Sequence, residues 1–467
     1  MNMHESFDTE ERFEKIVPTI TYGQRIRTIL ADELKYKLMF SLARIPGLGF
    51  FHKIANQPRD RVYHTDPVFL NRFYNAEYGT ADKPMALLDM PWDYIEEHQE
   101  EIPFFGLREY WYPALQSGEL LHNEPKATEI CGDKIVFWRD AEGNPQAIEN
   151  RCPHRNPLMS LGAVNAVGQG NITCRYHGMT FDGKGNLVAY LGDGPNSQYC
   201  GKIKARSYPA EERGGIIWVY VGCKEGDEVP PLESSIPNAD DLLDGDVSYI
   251  FKTEVNFSFL NMLDNAADMS HVGCLHRTCT PFGDQKVGGD VGVEDLEDGS
   301  IHAFIKDMSG HAGPNHINEI RWYAPNIVYH GPELFEGGVN GACFWFVPID
   351  AGRFNAWQIG NFNAKKMGWL KARIFRAVFK IAFKWAHYLP QPACYDGGDG
   401  PIQMAQGKVA NWDQEMLTGL DRGVVATRER MKKLHREEVA MRKERGLPPL
   451  EHPVGKSGEL TPKKKYR

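Results

Sequence analysis

"RCPHRNPLMSLG" (residues 151–162) decides how the rest of the chain is read. A cysteine and a histidine stand one residue apart, with a proline between them. Both side chains ligate soft and borderline metals. A second pair follows: Cys174 and His177 lie in "CRYHG", with 19 residues between the two pairs. Each half offers a thiolate, a short spacer and an imidazole at a turn. Such a set can hold a tetrahedral zinc ion. It can equally hold a two-iron, two-sulfur cluster, with the thiolates on one iron and the histidines on the other. The spacing favours the cluster, because zinc modules with these ligands usually group like with like. Two buried thiols beside unrelated histidines is the plain alternative.

Around the pairs, "DKIVFWRD", "NITCRYHGMTFDGKGNLV" and "GGIIWVYVG" alternate or run apolar between Gly and Asn turns, which predicts short strands. Residues 1–104 read as a mostly helical extension with no obvious chemistry. A proline- and acid-rich stretch near 225–241 marks a boundary. Beyond it, "ACFWFVPID" and "NAWQIGNF" predict core strands, residues 413–444 a long charged helix, and the end of the chain a disordered tail. The expected divisions are 1–104, 105–232, 233–440 and 441–467.

The 467 residues are 42% hydrophobic, enough for two or three domains with ample core. A net charge of −9 argues against nucleic acid as the partner. Nine cysteines in no disulfide-scaffold pattern fit a reducing, cytoplasmic setting. No secretory leader and no transmembrane run is expected.

The second constellation is "NMLDNAADMSHVGCLHR". Asp264, Asp268 and His271 recur at helical spacing and are expected on one face. His276 is five residues further, about 140° around an ideal helix. A helix carrying both histidines to one ion must bulge or stop between them, near Gly273. Two histidines and a carboxylate form the facial triad of non-haem iron(II) oxygenases. An amphipathic surface helix that binds nothing is the alternative.

"CPHRNPLMSLG" and "CRYHGMTFDGKGNL" resemble the two cluster loops of Rieske proteins. Neither has the extra cysteine usual in the respiratory members, so the resemblance is to the oxygenase type. "DNAADMSHVGCLH" is similar to the D-N-x-x-D-x-x-H-x4-H motif of the Rieske non-haem iron oxygenases, the aromatic ring-hydroxylating family. The resemblance covers roughly residues 105–440. It implies an α+β protein: an all-β Rieske domain and a catalytic domain of antiparallel sheet with helices, of helix-grip type.

By that resemblance Cys152, His154, Cys174 and His177 hold a Rieske [2Fe-2S] cluster, with Tyr176 a candidate hydrogen-bond donor to it. His271 and His276 ligate a mononuclear Fe(II). Asp268 is the carboxylate that bridges iron and cluster between neighbouring subunits. Asp396, Asp399 and Asp413 are candidates for the third ligand. The layout before Gln406-Gly407 resembles the phthalate dioxygenase and vanillate demethylase branch and selects Asp399, although Gly398 departs from the polar residue expected before it.

The family resemblance further implies dioxygen as co-substrate, and electrons from NAD(P)H through a separate reductase, directly or by way of a ferredoxin. A homotrimer packed head to tail is the implied assembly. The branch points to monooxygenation or demethylation of an apolar aromatic or polycyclic small molecule, with dihydroxylation the alternative within the family. Phe257, Leu260, Met262, Cys274, Phe344 and Phe346 are candidate pocket liners, though each reads more readily as plain core. A Rieske electron carrier without chemistry, or a zinc-stabilised binding protein, are the readings outside it. Finally, residues 368–389 place Arg373, Arg376, Lys380, Lys384 and His387 within about 80° of a helical wheel, the rest being largely apolar. That pattern suits peripheral contact with a membrane, a lid or a subunit contact.

Overall fold

The computed structural model describes Leu42 and residues 90–223, 226–243, 248–268, 270–271, 290–306, 319–330, 339–386 and 399–447. Most of the 1–104 extension therefore lies outside the described residues, as do Asp396, Cys274, His276, His387 and the chain beyond 447. Where the extension is described it ends in a short helix, α1 (Trp92–His98).

Strand β1 (Tyr110–Gln116) opens the first half. It is followed by β2 (Lys126–Ile130), β3 (Asp133–Arg139) and β4 (Pro145–Glu149), then β5 (Ala163–Val164), β6 (Ile172–Thr173), β7 (Met179–Phe181) and β8 (Leu187–Tyr190). Strands β9 (Ala210–Arg213) and β10 (Ile216–Val221) close it. They form three small antiparallel sheets in the orders β1-β10-β9, β2-β3-β4 and β5-β6-β7-β8.

Strand β3 shows why the sequence folds this way. Side chains alternate faces along a strand, and here both faces are covered. Ile135 and Phe137 enter one apolar core, while Val136 and Trp138 enter another that underlies the two cysteine loops. The run reads as near-continuously hydrophobic for that reason.

The second half is a seven-stranded antiparallel sheet. Its strands are β11 (Ser248–Val255), β12 (Asp290–Asp295), β13 (Ile301–Lys306), β14 (Glu319–Tyr323), β15 (Ile327–His330), β16 (Val339–Asp350) and β17 (Arg353–Phe362), in the order β11-β17-β16-β15-β14-β13-β12. The two predicted core strands fall within β16 and β17, where Trp345 sits opposite Trp357. One face of this sheet joins the first half: Trp345 and Trp357 share a core with Trp111 and Trp218, and the rings of Trp218 and Trp345 lie 5.1 Å apart. The other face is covered by α3 (Phe259–Ala267) and by α7 (Arg422–Glu444), through Leu260, Leu263, Val424 and Met431 against Trp322, Phe346 and Phe354. This is the expected α+β architecture.

The stretch read as a boundary near 225–241 buries Leu232 and Ile236 in the shared core, where Leu242 of the short helix α2 (Ala239–Leu243) joins them. One local expectation is corrected. The long charged helix starts at Arg422, not 413. Thr418 and Asp421 form a capping box around the 3-10 turn Gly419–Asp421, and Asn411 caps another at Trp412–Gln414. These short polar side chains satisfy turn amides and compete with helix there. The helix continues to Glu444, so the expected tail boundary at 441 cuts through its last turn.

Candidate metal centres

The two cysteine loops are built on one hydrogen-bond frame. In the first, Cys152 donates its amide to Pro157 (3.0 Å) and Asn156 donates to the Cys152 carbonyl (3.0 Å). In the second, Cys174 donates to Met179 (2.8 Å) and Gly178 donates to the Cys174 carbonyl (2.9 Å). Both loops close on a left-handed residue, Asn156 at φ 63° and Gly178 at φ 73°, which are residue types that tolerate that region. A Cβ on Gly178 would stand 2.5 Å from Leu191 Cβ, so the second loop has no room for one.

The frame sorts the side chains. Cys152 and Cys174 are buried on the core of Trp138, Met159, Ile172 and Phe181. His154 is exposed and His177 half-buried, and their rings are 4.8 Å apart. All four side chains border one small hollow, with Arg155, Pro157, Tyr176 and Met179. Two thiols inside and two imidazoles outside are the donor set of a cluster whose inner iron takes sulfur and outer iron nitrogen. Burial pushes the Cys152 thiol up to about 12, so a thiolate there depends on the positive charge of a metal. The residues present fit the group.

Tyr176 is solvent-exposed and stacks on His177, ring centroids 3.8 Å apart. Its hydroxyl accepts a hydrogen bond from Arg155 (3.1 Å). It thus covers the outer face of the histidine, a role the sequence did not suggest.

Around the second constellation the structure corrects the expected single helical face. Helix α3 stops at Ala267, and Asp268 is its C-cap at φ −85°, ψ 94°. A break therefore falls before His271, while the expected bulge or stop near Gly273 lies outside the described residues. Its cause is local. The Asp268 carboxylate accepts from the Ser270 amide (2.8 Å), the Ser270 hydroxyl (2.5 Å) and the His271 amide (3.3 Å). Asp268 therefore ends one helix and caps the next turn. The Asp268 carbonyl also meets Nδ1 of His271. With Nδ1–H donated there, Nε2 carries the lone pair that a metal would take.

Nε2 of His271 lies 3.4 Å from Oδ1 of Asp399, the first residue of α6 (Asp399–Ala405). Asp399 is buried. Two donors each about 2.1 Å from one ion stand roughly 3.0–3.4 Å apart, so this pair fits a shared metal. Asp413 does not join it: it is exposed and pairs with His98 at 3.0 Å. One turn along α6, Gln403 donates to Asn265 Oδ1 (2.9 Å), while its own Oε1 is buried and has no partner among the described residues. Asn261 ties α3 to α6 by donating to the carbonyls of Gln403 and Gly407. The i, i+4 spacing of Asp399 and Gln403 was the available signal for this link.

Asp264 does not face the metal position. Arg428 grips it through two bonds (3.1 and 2.6 Å) and grips Glu415 through two more. Burial pushes Asp264 up to about 6 against the opposing pull of Arg428. The candidate pocket liners Phe257, Leu260, Met262 and Phe346 are buried in the core beneath α3, with Phe344 packed against it.

The family model described as Rieske [2Fe-2S] domain matches residues 110–199. The chain is 29% identical to a 4beta-methylsterol monooxygenase of Methylococcus capsulatus, over 62% of this chain and 82% of that protein. It is 32% identical to the oxygenase subunit of 3-chlorobenzoate-3,4-dioxygenase of Comamonas testosteroni, a match spanning 37% of this chain but only 39% of that protein. It is 33% identical to a vanillate O-demethylase oxygenase subunit of Pseudomonas sp., over 36% of this chain and 44% of that protein. Among solved structures, the terminal oxygenase of carbazole 1,9a-dioxygenase from Nocardioides aromaticivorans IC177 aligns with a TM-score of 0.58 at 21% identity, covering 73% of this chain and 99% of that one. The chain thus has a stretch over residues 110–199 that matches the Rieske [2Fe-2S] domain, and it is similar in sequence to oxygenase subunits and in fold to a terminal oxygenase.

Proposed function

We propose that this chain is a terminal oxygenase that hydroxylates or demethylates a largely apolar aromatic or polycyclic substrate. The observation that carries the reading is the convergence of His271 Nε2 and Asp399 Oδ1 in a chain that also bears the paired cysteine–histidine loops. Cys152, His154, Cys174 and His177 would hold the Rieske cluster within a domain over 105–232. His271, Asp399 and His276, the last outside the described residues, would hold a mononuclear Fe(II) in a domain over 233–440. When bound, these groups supply one-electron transfer and dioxygen activation.

The chain's own residues do the rest. The Asp268 carbonyl fixes the tautomer of His271. Ser270 and the His271 amide hold the Asp268 carboxylate, leaving it at the surface hollow between α3 and the turns before α7. There it would bridge to a cluster histidine of a neighbouring copy in a head-to-tail homotrimer. Electrons would come from NAD(P)H through a separate cytoplasmic reductase or ferredoxin. Support for such a donor is that solved structures of similar fold include complexes of a carbazole 1,9a-dioxygenase oxygenase with its ferredoxin. Support for a bulky apolar substrate is the sterol monooxygenase, together with a phenoxybenzoate dioxygenase alpha subunit 26% identical over 83% of its length.

The test is oxygen uptake by the purified, iron-loaded protein with a generic reductase and a panel of sterols, methyl ethers and aromatic acids. Substrate-dependent uptake with an oxygenated product is expected. A cluster that is reduced with no substrate-dependent oxygen consumption across the panel, and no iron beyond the cluster, would instead make the chain an electron carrier.

A further inference from the structure

Helix α5 (Trp369–Ala386) follows a short helical turn, α4 (Ala364–Met367), on the outer side of β11 and β17. Its sequence is strongly amphipathic, and an amphipathic helix on a globular protein ordinarily turns its apolar face to the core. This one does not. Over its first nine residues Ala372 is the buried side chain, packed with Tyr249 and Phe362, and Arg376 is half-buried. Trp369, Leu370, Ile374 and Phe375 are 54%, 66%, 53% and 42% exposed. Large apolar side chains grouped in this way mark an interaction surface rather than scattered exposure.

The cations around that face say what it meets. Arg373 lies over the ring of Trp369 at 4.1 Å and Lys371 over that of Phe375 at 5.8 Å. At 100° per residue, Leu370, Ile374 and Ala377 form a central apolar line, with the Arg373–Trp369 pair on one flank and the Lys371–Phe375 pair on the other. The sequence continues the central spacing with Val378, Ile381 and Trp385. Between residues 364 and 386 there are seven Lys and Arg and no Asp or Glu, in a chain of net charge −9. The local charge is thus opposite to that of the whole, and complementary to an anionic surface.

An apolar line flanked by cations and aromatic rings is the arrangement of a helix lying in a bilayer interface. The apolar side chains enter the acyl boundary, the rings sit at headgroup level and the cations meet anionic headgroups. An acidic protein partner would satisfy the cations but leave Leu370 and Ile374 unused. At 18 residues the helix is about 27 Å long, and no described helix is long and apolar enough to cross a membrane. We propose that the exposed face of α5 docks the protein onto an anionic lipid surface.

The test is flotation of the full-length protein with vesicles of mixed phosphatidylglycerol and phosphatidylcholine, against vesicles of phosphatidylcholine alone. The wild type is expected to float with the anionic vesicles and to be released by salt. Leu370→Glu with Ile374→Glu should weaken binding by about tenfold or more, with cluster absorbance and solution mass unchanged. Lys371→Glu with Arg373→Glu, which leaves the apolar line in place, should lose the preference for anionic vesicles. The proposal is overturned if the wild type floats with neither vesicle, or if the Leu370/Ile374 variant binds as well as the wild type. It is equally overturned if that variant changes the oligomeric mass, because the face would then be a contact between copies of the chain.

Discussion

His271 and Asp399 meet at 3.4 Å, nitrogen to oxygen, although they come from different helices on opposite sides of a long excursion of the chain. Their orientation is set from outside the pair, by the Asp268 carbonyl on one ring nitrogen and by the start of α6 under the carboxylate.

Replacing either partner should remove the mononuclear iron and spare the cluster. His271→Ala and Asp399→Ala are expected to lose the iron in excess of the cluster and to keep the red-brown cluster spectrum. Iron analysis beside visible absorbance checks this. Loss of both centres together would separate the pair from the proposed ligand role.

Asp268 caps the turn at Ser270 and His271, and two substitutions separate that duty from the proposed bridge. Asp268→Ala removes both the cap and the charge, and loss of a cap costs about 1 kcal/mol. Asp268→Asn keeps an acceptor for Ser270 and removes the charge. Both variants are expected to retain cluster and iron yet lose most turnover. Normal turnover in Asp268→Asn would falsify the bridging role and leave the capping role standing.

Gly178→Ala should damage the second cluster loop. The left-handed φ and the contact with Leu191 together cost roughly 1–3 kcal/mol or more. Asn156→Gly, at the equivalent position of the first loop, should change stability by only a few tenths of a kcal/mol because both types accept that backbone. Cluster occupancy and melting temperature of the two variants, measured side by side, decide it.

A pH dependence follows from Asp133. Arg108 (2.7 Å) and Arg206 (2.9 Å) and the Tyr208 hydroxyl hold its carboxyl well below the ordinary 3.8, overcoming the opposing effect of burial. A depressed carboxyl stabilises the fold fully above 3.8, and that contribution is lost as pH falls through the folded value. Asp133→Asn leaves two arginines short of a partner and should cost about 3–5 kcal/mol near neutrality. That cost should shrink as the pH is lowered below about 4. Unfolding of wild type and variant across that range measures it. A penalty that stays constant with pH would mean the carboxylate charge is not what stabilises the network.

The cluster loops were legible in the sequence because each is complete within a few residues, ligands and turn-formers together. His271 and Asp399 were picked from separate motifs, and the fold brings them to one place. The end of α3 was misjudged because helical spacing was weighed and the Asp268-x-Ser270 turn was not, although Asp and Ser favour such turns. The partners of Asp264 could not be read: Arg428 lies 164 residues away. A helical wheel drawn for α5 shows that it is amphipathic but not which side the body uses, since among its described side chains the buried one is a small residue, Ala372.

Strand β3 is a party wall. Ile135 and Phe137 are built into the room that holds Trp345 and Trp357, while Val136 and Trp138 are the floor under Cys152 and Cys174. The cysteine loops therefore cannot swing out on a hinge to collect charge and return. Under the proposed function they are a stationary port, and a donor of electrons has to come to it. On that footing, delivery should scale with how often donor and port collide, and be set by donor concentration and ionic strength.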